Sequence, residues 1–383
     1  MRMIRLTRSF DQCFLPHAHL AGDNCNPRCY NTYVARGNRF LLKYGKGAKP
    51  TAAACRQSAC ELTKGSSRRR LAVLALAIPL APNLMPGVPH PFVHAFLWGV
   101  PLPVRTDWPD LEGENERILI VAPHPDDEVL AVGGTIAHLT QEGHTVLVVF
   151  LTNGDANRAT KRLLTMNPLH RATDYRALGY RRQKEASLAL ALLGVPPAQM
   201  IFLGYPDQGL MLLWTNHWER DNPYKSPYTK ASHPFYSNSY NPHAVYSGED
   251  LLNNLADIVC RFRPTVIYIP HQDDAHPDHQ AGFLFGMAAL SFLEAVDNPD
   301  IRLYLVHSAG WPYPKQLLPA MVLDAPGNPG DWSWQSFDLS EEAVKKKLSA
   351  VRAYSSQRWT SGRFLAGFVR SNEMYAVTLP ITQ

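Results

Sequence analysis

The sequence Ala-Pro-His-Pro-Asp-Asp-Glu at residues 122–128 decides the fold. A β-branched apolar run at 118–121 precedes it, and a helix-like pattern from Val129 to Gln141 follows it. A strand that ends in a histidine and carboxylates and then opens a helix is typical of α/β proteins, whose ligands gather at the carboxyl ends of the strands. The stretch therefore predicts a buried sheet with a functional site at one of its edges.

A second polar cluster of the same kind lies far along the chain. The apolar run Val266 to Ile269 leads into Pro-His-Gln-Asp-Asp-Ala-His-Pro-Asp-His at 270–279. Zinc in a catalytic site takes three protein ligands and keeps one position open for water. His124, Asp127 and His279 provide such a set of nitrogen, oxygen and nitrogen donors from two strand ends.

Each cluster taken alone has an ordinary structural explanation. A His-Pro-Asp sequence often forms a turn, and acidic residues often begin a helix because they complement its dipole. Two such clusters, each directly after an apolar strand, favour a metal site. Because a His/Asp/His set accepts several divalent metals, Zn²⁺ is the expected cofactor and Fe²⁺ is the alternative.

The other polar residues of the two clusters have predicted catalytic roles. Asp126 is not needed as a ligand and would act as the general base that takes a proton from the attacking water. His276 would face the developing oxyanion or the leaving amine. Asp278 would hold the His276 imidazole in one tautomer and support its charged form.

Apolar runs and helical patterns alternate along residues 105–383, which are expected to form a single catalytic domain. Strands are predicted at 117–122, 145–151, 201–203, 265–269, 301–307 and 374–379, and helices at 129–141, 176–193, 251–261, 280–296 and 341–354. This alternation predicts an α/β fold, a Rossmann-like, doubly wound and mainly parallel sheet flanked by helices. No G-x-G-x-x-G follows the first strand, which disfavours a nucleotide-binding Rossmann protein.

Some polar residues outside the two clusters are candidate substrate contacts. Asn153 and Asp155 follow the second predicted strand and would lie beside the metal. Arg182 and Glu185 are one helical turn apart, so an ion pair between them is predicted, although Arg182 is also a candidate substrate contact. Asp273-Asp274 could support the metal ligands or lie in a solvated loop, and the sequence does not decide between these.

The chain changes character between Trp214 and Tyr246, within an insertion at about 205–247. Eight aromatic residues are interleaved there with Asn, Ser, His and Pro, without a clear period. A connection of this length inside a compact domain is usually functional or mobile. Its aromatic faces would suit sugar rings, or the insertion packs on itself. Both interpretations stay open.

The net charge of +5 comes from the N-terminal part of the chain. Residues 1–70 form a basic leader with 14 Lys and Arg, three acidic residues and five of the six cysteines. Of the 38 basic and 33 acidic residues, 24 and 30 remain for residues 71–383, which are therefore mildly acidic. This balance gives no reason to expect a nucleic-acid partner, and the leader is expected to be disordered.

Residues 71–104 begin with an apolar run after Arg68-Arg69-Arg70 and continue into a proline-rich stretch. A positive segment followed by a short apolar one is typical of a signal peptide, and it is too short for a comfortable membrane span. Export, or membrane association through residues 71–82, is favoured over a cytoplasmic location. The alternative is a buried docking segment behind the leader.

The paired motifs resemble those of the LmbE-like (PIG-L) family of zinc-dependent N-acetylglucosaminyl de-N-acetylases. The motifs that carry the resemblance are residues 122–128, 133–135, 152–155, 182–185, 203–207, 276–279, 354–357 and 368–370. The resemblance implies zinc ligation by His124, Asp127 and His279, with Asp126 as base and with His276 and Asp278 as acid and partner. It also implies a substrate with an N-acetylated amino sugar, as in a glycolipid, small conjugate or glycan.

The expected reaction is hydrolysis of an acetamido group to acetate and a free amino sugar. Two alternatives remain at this stage. One is an amidase that acts on a glucosaminyl conjugate with a larger acyl group. The other is a non-catalytic carbohydrate-binding module that uses the aromatic insertion, against which an intact base and a complete ligand set argue.

Overall fold

The structure is a computed structural model, and it describes only part of the chain. The described residues are 34–35, 38–39 and 116–378, except for 167–168, 170, 294–298 and 328–331. Within the leader, Val34–Ala35 pairs antiparallel with Asn38–Arg39. The rest of the leader and the whole of 71–115 lie outside the described residues, so the predictions made for them stay predictions. Among the described residues, no helix has the length and apolar character needed to cross a membrane.

A central sheet of seven strands organises the described part of the domain. In chain order the strands are β1 (Arg117–Ala122), β2 (Thr145–Thr152), β3 (Met200–Tyr205), β4 (Val266–Pro270), β5 (Asp300–Tyr304), β6 (Trp332–Asp338) and β7 (Asn372–Thr378). Their order in the sheet is β3-β2-β1-β4-β5-β7-β6. Strands β3, β2, β1, β4 and β5 run parallel to one another. At the other edge, β7 pairs antiparallel with β5, and β6 pairs antiparallel with β7.

The chain builds this sheet outward from β1, first on one side and then on the other. Such an order defines a doubly wound sheet with its switch point at β1 and β4. The predicted α/β fold class, Rossmann-like and mainly parallel, is confirmed.

The strands are apolar on both faces because both faces of the sheet are covered. Ile118 and Ile120 of β1 pack into the core on one face, whereas Leu119 and Val121 pack into the core on the other. The same alternation continues through β2 and β4. Continuous apolar strands of this kind are expected when helices cover a parallel sheet on both sides.

Eight α-helices are described around the sheet. They are α1 (Asp127–Gln141), α2 (Arg158–Thr165), α3 (Ala172–Leu192), α4 (Leu210–Thr215), α5 (Gly248–Phe262), α6 (Pro277–Leu290), α7 (Glu341–Ala353) and α8 (Ser355–Gly367). Side chains from α1, α3, α7 and α8 contribute to one core, and those from α4, α5 and α6 contribute to the other.

The predicted elements are all present, although several bounds differ. The helix predicted at 280–296 ends at Leu290, and the strand predicted at 301–307 ends at Tyr304. Helices α2, α4 and α8 and strand β6 were not predicted. Helix α8 is largely polar and contains non-helical backbone at Ser361, and β6 lies at the sheet edge with mostly half-buried side chains. Neither therefore has a clear apolar period.

The two glycines inside α1 allow a close approach between helix and sheet. A Cβ atom at Gly134 would lie 2.3 Å from Leu339 Cδ1. The Gly134 N–H donates to Glu373 Oε1 of β7 over 2.7 Å. Lys347 of α7 donates from Nζ to the same Oε1 over 2.6 Å and to the Leu130 carbonyl over 2.8 Å. The glycine pair therefore permits a fully buried ion pair between α7 and β7.

Removal of one partner of the buried Lys347–Glu373 ion pair is expected to be strongly destabilising. Lys347→Met should lower the free energy of unfolding by about 3–5 kcal/mol, because it leaves the Glu373 carboxylate buried without a cation. Urea unfolding of the full chain, followed by circular dichroism, measures the loss.

Lys345→Met on the same helix is the matched control. Lys345 pairs with Glu341, but their side chains are 76% and 93% exposed. Exposed pairs of this kind contribute little, so the urea midpoint of this variant should stay close to wild type. Equal losses in the two variants would contradict the assignment.

Candidate metal centre and active site

The two polar clusters meet because the strands that precede them are neighbours. β1 and β4 pair in parallel, with Ile118 opposite Val266. The first cluster leaves β1 and enters α1, and the second leaves β4 and enters α6. The N-termini of two helices of 15 and 14 residues therefore point toward one centre, where their dipoles favour negative charge.

The three predicted metal ligands converge on one carboxylate oxygen. Asp127 Oδ2 lies 3.2 Å from His124 Nδ1 and 3.0 Å from His279 Nε2. All three side chains are buried. Although burial alone would raise the pKa of Asp127, the neighbouring His279 and His124 hold it well below its ordinary value. The Asp127 carboxylate is therefore ionised, as a metal ligand must be.

The separations of Asp127 Oδ2 from His124 Nδ1 and from His279 Nε2 suit a divalent cation. Zinc–nitrogen and zinc–oxygen bonds of about 2.0–2.2 Å place the ligand atoms of a tetrahedral centre about 3.3 Å apart, close to the two distances above. Neither ring nitrogen of the buried His279 makes a well-aligned hydrogen bond among the described residues. Three overlapping groups have donor atoms within 4.8 Å of one another, namely His124/His276/His279, Asp127/His279/His307 and His124/Asp207/Asp278.

Asp126 belongs to none of these donor groups, and its backbone has an unusual conformation. Its φ is 127°, in the region that favours glycine. Asp126 Oδ1 lies 3.1 Å from Arg182 Nη2. Burial raises the pKa of the Asp126 carboxyl to about 7, against the effect of Arg182. Asp126 is therefore a buried carboxylate paired with Arg182, and its role as the base stays a prediction.

Arg182 belongs to this centre and does not form the predicted ion pair with Glu185. Its guanidinium donates to the Gly154 carbonyl over 3.0 Å and to the Pro125 carbonyl. Glu185 instead pairs with Arg181, and it accepts hydrogen bonds from Ser355 and Ser356. The ion-pair prediction was wrong because successive residues of a helix point in different directions: Arg181 and Glu185 share one face, and Arg182 points inward.

His276 is the N-cap of α6, and this fixes its tautomer. Its Nδ1 accepts a hydrogen bond from the Asp278 N–H over 3.2 Å. An imidazolium has no lone pair with which to accept this bond. The bond therefore favours a neutral ring whose proton is on Nε2. The half-buried ring packs edge-on against His124, with centroids 4.7 Å apart.

The predicted pairing of Asp278 with the His276 ring is wrong in this structure. The Asp278 carboxylate accepts hydrogen bonds from the N–H groups of Gln208 and Leu210, over 2.6 and 3.0 Å. Its Oδ2 also lies 3.2 Å from His124 Nε2. Asp278 lies inside the first turn of α6, so its side chain points to α4 and β1 and leaves His276 to the backbone.

Three residues of the centre had no assigned role in the sequence. Asp207, within the 203–207 motif, lies with Oδ1 3.4 Å from His124 Nε2. Asp274, whose role was open, is fully buried, with Oδ2 3.1 Å from His279 Nδ1. Asp273 beside it has 42% of its side chain exposed. His307 follows β5, and its ring lies 4.7 Å from that of His279.

The candidate substrate residues after β2 are both fully buried. Asp155 Oδ2 accepts a hydrogen bond of 2.6 Å from the Tyr236 hydroxyl. Burial and the nearby Asp207 raise the pKa of the Asp155 carboxyl to about 7. Asn153 has no measurable exposure. Substrate contact by Asn153 and Asp155 stays a prediction.

The aromatic insertion packs largely into the domain. Trp214 and Trp218 pack against Phe285 of α6, with ring centroids 4.9 and 6.3 Å apart. Tyr246 is buried, and its hydroxyl donates to the Gly204 carbonyl over 3.1 Å. These rings fill the core. Their presence in the insertion therefore gives no evidence for a sugar-binding surface.

Comparison with known proteins identifies the family. The sequence profile of PIG-L, described as GlcNAc-PI de-N-acetylase, matches residues 119–290. A 1D-myo-inositol 2-acetamido-2-deoxy-alpha-D-glucopyranoside deacetylase of Tsukamurella paurometabola is 31% identical over 270 residues, 63% of this chain and 83% of that protein. A deacetylase of the same name from Saccharopolyspora erythraea is 29% identical over 279 residues, 67% and 84% of the two chains.

Weaker similarity is found with a solved structure. The N,N'-diacetylchitobiose deacetylase of Pyrococcus horikoshii is 19% identical, with a TM-score of 0.41 over 66% of this chain and 76% of that one. The family profile and the two sequence relatives represent one class of protein, the de-N-acetylases, which are hydrolases of amide bonds. The chain belongs to the PIG-L family.

The position of Arg182 depends on the absence of a side chain at Gly154. Gly154 has φ +59°, and a Cβ atom there would lie 1.8 Å from Arg182 Nη1. Gly154→Ala should therefore displace Arg182 from Asp126 and lower the free energy of unfolding by clearly more than the cost of positive φ alone.

Gly143→Ala isolates that backbone cost. Gly143 has φ +84°, and nothing lies within 4 Å of its added Cβ. This variant should lose about 1–2 kcal/mol. Urea unfolding of both variants makes the comparison, and equal losses would exclude a steric role for the guanidinium.

Proposed function

We propose that this chain is a divalent-metal-dependent hydrolase that removes the acetyl group from an N-acetylglucosaminyl-type compound. The observation that carries the proposal is the separation of Asp126 from the buried His/Asp donor set. A binding module needs neither a cluster of metal donors nor a spare carboxylate held by an arginine. Metal-dependent amide hydrolysis uses both a bound cation and a general base.

His124, Asp127 and His279 are the proposed metal ligands, as in the sequence-based prediction. When bound, a divalent cation such as Zn²⁺ polarises an acyl oxygen and lowers the pKa of a coordinated water. Fe²⁺ is the alternative, because the donor set does not select between the two metals.

Asp126 is the proposed general base. Arg182 orients its carboxylate from one side, and the carboxylate lies outside the groups of close metal donors. In this position Asp126 takes a proton from the water that attacks the acetyl carbonyl. The same carboxyl can return that proton to the departing amine.

His276 is the proposed donor to the developing oxyanion. Its Nδ1 is occupied by the N-cap hydrogen bond, so its Nε2–H is the group available to substrate. A neutral donor placed in advance stabilises negative charge without requiring a proton transfer. This role replaces the charged form expected from the sequence.

The substrate class rests on the relatives, which deacetylate a 2-acetamido-2-deoxyglucosyl inositol. A small N-acetylglucosaminyl conjugate is therefore the proposed substrate. An amidase that removes a larger acyl group is the second candidate, and it uses the same centre. The two are distinguished by a panel of glucosaminyl compounds that differ only in the acyl chain.

Asp126→Asn should retain bound metal and lose about 10²–10⁴-fold in kcat, the usual contribution of a general base. Asparagine is a suitable replacement because it tolerates positive φ. Acetate and amine release are measured with the metal-analysed full chain on free N-acetylglucosamine, small conjugates and chitooligosaccharides.

Asp273→Asn is the control for this variant, since Asp273 is a neighbouring acid with a largely solvated side chain. Its kcat should equal that of wild type. Unchanged turnover in Asp126→Asn would refute the base. Release of longer acyl groups with no acetate would favour the amidase.

His279→Ala should lose the metal itself. Its Nε2 is one of the two ring nitrogens beside Asp127 Oδ2. Alanine has no donor atom in its side chain, so this variant lacks one of the three proposed ligands. Metal content after dialysis, measured by plasma emission spectrometry, should fall well below one ion per chain. His138→Ala, on the half-exposed face of α1, should keep wild-type content. Full metal content in His279→Ala would remove this residue from the ligand set.

A further inference from the structure

The distal nitrogen of His124 lies between two buried carboxylates. His124 Nε2 is 3.2 Å from Asp278 Oδ2 and 3.4 Å from Asp207 Oδ1. A ring nitrogen in this position is favoured as a donor, because only the N–H form is attracted by both oxygens. The proton of a neutral His124 is therefore on Nε2, and the lone pair is on Nδ1, which faces Asp127.

Both carboxylates are held by backbone N–H groups that do not depend on His124. Asp207 Oδ2 accepts from the Ala156 N–H over 2.6 Å. Asp278 Oδ1 accepts from the Leu210 N–H over 3.0 Å, and its Oδ2 accepts from the Gln208 N–H over 2.6 Å. These bonds connect the loops after β2 and β3 to α6. The carboxylates of Asp207 and Asp278 are therefore held in place independently of His124.

His279 also has a buried carboxylate beside its distal nitrogen, at ion-pair distance but without a well-aligned hydrogen bond. Its Nδ1 lies 3.1 Å from Asp274 Oδ2, and its Nε2 faces Asp127. Asp274 Oδ2 also accepts from the N–H groups of Val306 and His307, over 3.0 and 2.9 Å. Its other oxygen accepts from the His276 N–H over 2.9 Å. Asp274 is thus fixed by the chain that follows β5 and by the start of α6.

We propose that Asp207, Asp274 and Asp278 are positioning residues for the metal ligands. Asp207 and Asp278 hold His124 so that Nδ1 is its ligand atom, and Asp274 holds His279 so that Nε2 is its ligand atom. The two histidines therefore bind the metal through different ring nitrogens. The inference rests on the metal centre of the proposed function, and it assigns Asp278 to a ligand where the sequence assigned it to His276.

A carboxylate behind a ligating histidine fixes the ring orientation and makes the opposite nitrogen more basic. Loss of such a partner typically weakens metal binding by about 10–100-fold. Asp274→Asn should show this loss because Asp274 is the one carboxylate within reach of His279 Nδ1 among the described ion pairs. Asp207→Asn and Asp278→Asn should each show a smaller loss, since one carboxylate still holds His124, and the double variant should reach the full range.

The test is the affinity of the full chain for Zn²⁺, measured by competition with a chromophoric chelator. Asparagine keeps one acceptor oxygen, so Asp207→Asn retains its backbone hydrogen bond, whereas Asp274→Asn and Asp278→Asn each lose a backbone hydrogen bond to the second oxygen. Thermal melting followed by circular dichroism checks that each variant folds. Asp273→Asn is the matched control, next to Asp274 in sequence but largely solvated. The visible spectrum of the Co²⁺-loaded chain provides a second readout, which should change in Asp274→Asn and in the double variant but not in the control.

Several outcomes would overturn the inference. Affinity within about two-fold of wild type in Asp274→Asn and in the double variant, with unchanged Co²⁺ spectra, would show that the carboxylates do not position the ligands. An equal loss of Zn²⁺ affinity in Asp273→Asn would show that the effect comes from removing any negative charge near the centre. Complete loss of metal from Asp207→Asn or Asp278→Asn would make that carboxylate a direct ligand. If the wild-type chain binds no divalent metal, the proposed function fails together with this inference.

Discussion

The parallel pairing of β1 with β4 is the constraint on which the centre depends. His124 and Asp127 follow β1, whereas Asp274, Asp278 and His279 follow β4. His124 and His279 are 155 residues apart in the sequence. Because parallel neighbours end at the same edge of the sheet, both side chains nevertheless contact Asp127. The register between the strands is fixed by the cores on both faces, because a shift of one residue would move every side chain of a strand to the opposite face of the sheet.

Electrostatics explains why so many carboxylates can be buried around this edge. Asp127, Asp207, Asp274 and Asp278 are each 4% exposed or less. Each accepts hydrogen bonds from backbone N–H groups or lies beside an imidazole. Burial alone would raise the pKa values of Asp127, Asp207 and Asp274, but neighbouring histidines hold them below the ordinary value. Burial raises the pKa values of Asp126 and Asp155. The centre thus contains buried carboxylates whose pKa values are shifted in opposite directions.

The sequence predicted the sheet, its main helices and the meeting of the two clusters, because apolar strands and polar strand ends are local patterns. It could not predict side-chain directions after the strands. Whether Asp278 faces His276 or His124 depends on where α4 begins, and the inward turn of Arg182 depends on the space at Gly154. His307 had no signal because the predicted strand extended through it. The chain leaves the sheet at Tyr304, and this departure brings His307 to His279.

Tyr236 gives the insertion a role that reaches beyond its own packing. Its hydroxyl fits against Gly179 of α3, where a Cβ atom would lie 1.9 Å away, and it donates to Asp155. A shorter loop would therefore leave the buried Asp155 carboxyl without this hydrogen bond and would leave an unfilled space beside Gly179. The length of this connection is coupled to residues 155 and 179. Loops exchanged between relatives should be accepted only when these two positions are exchanged with them.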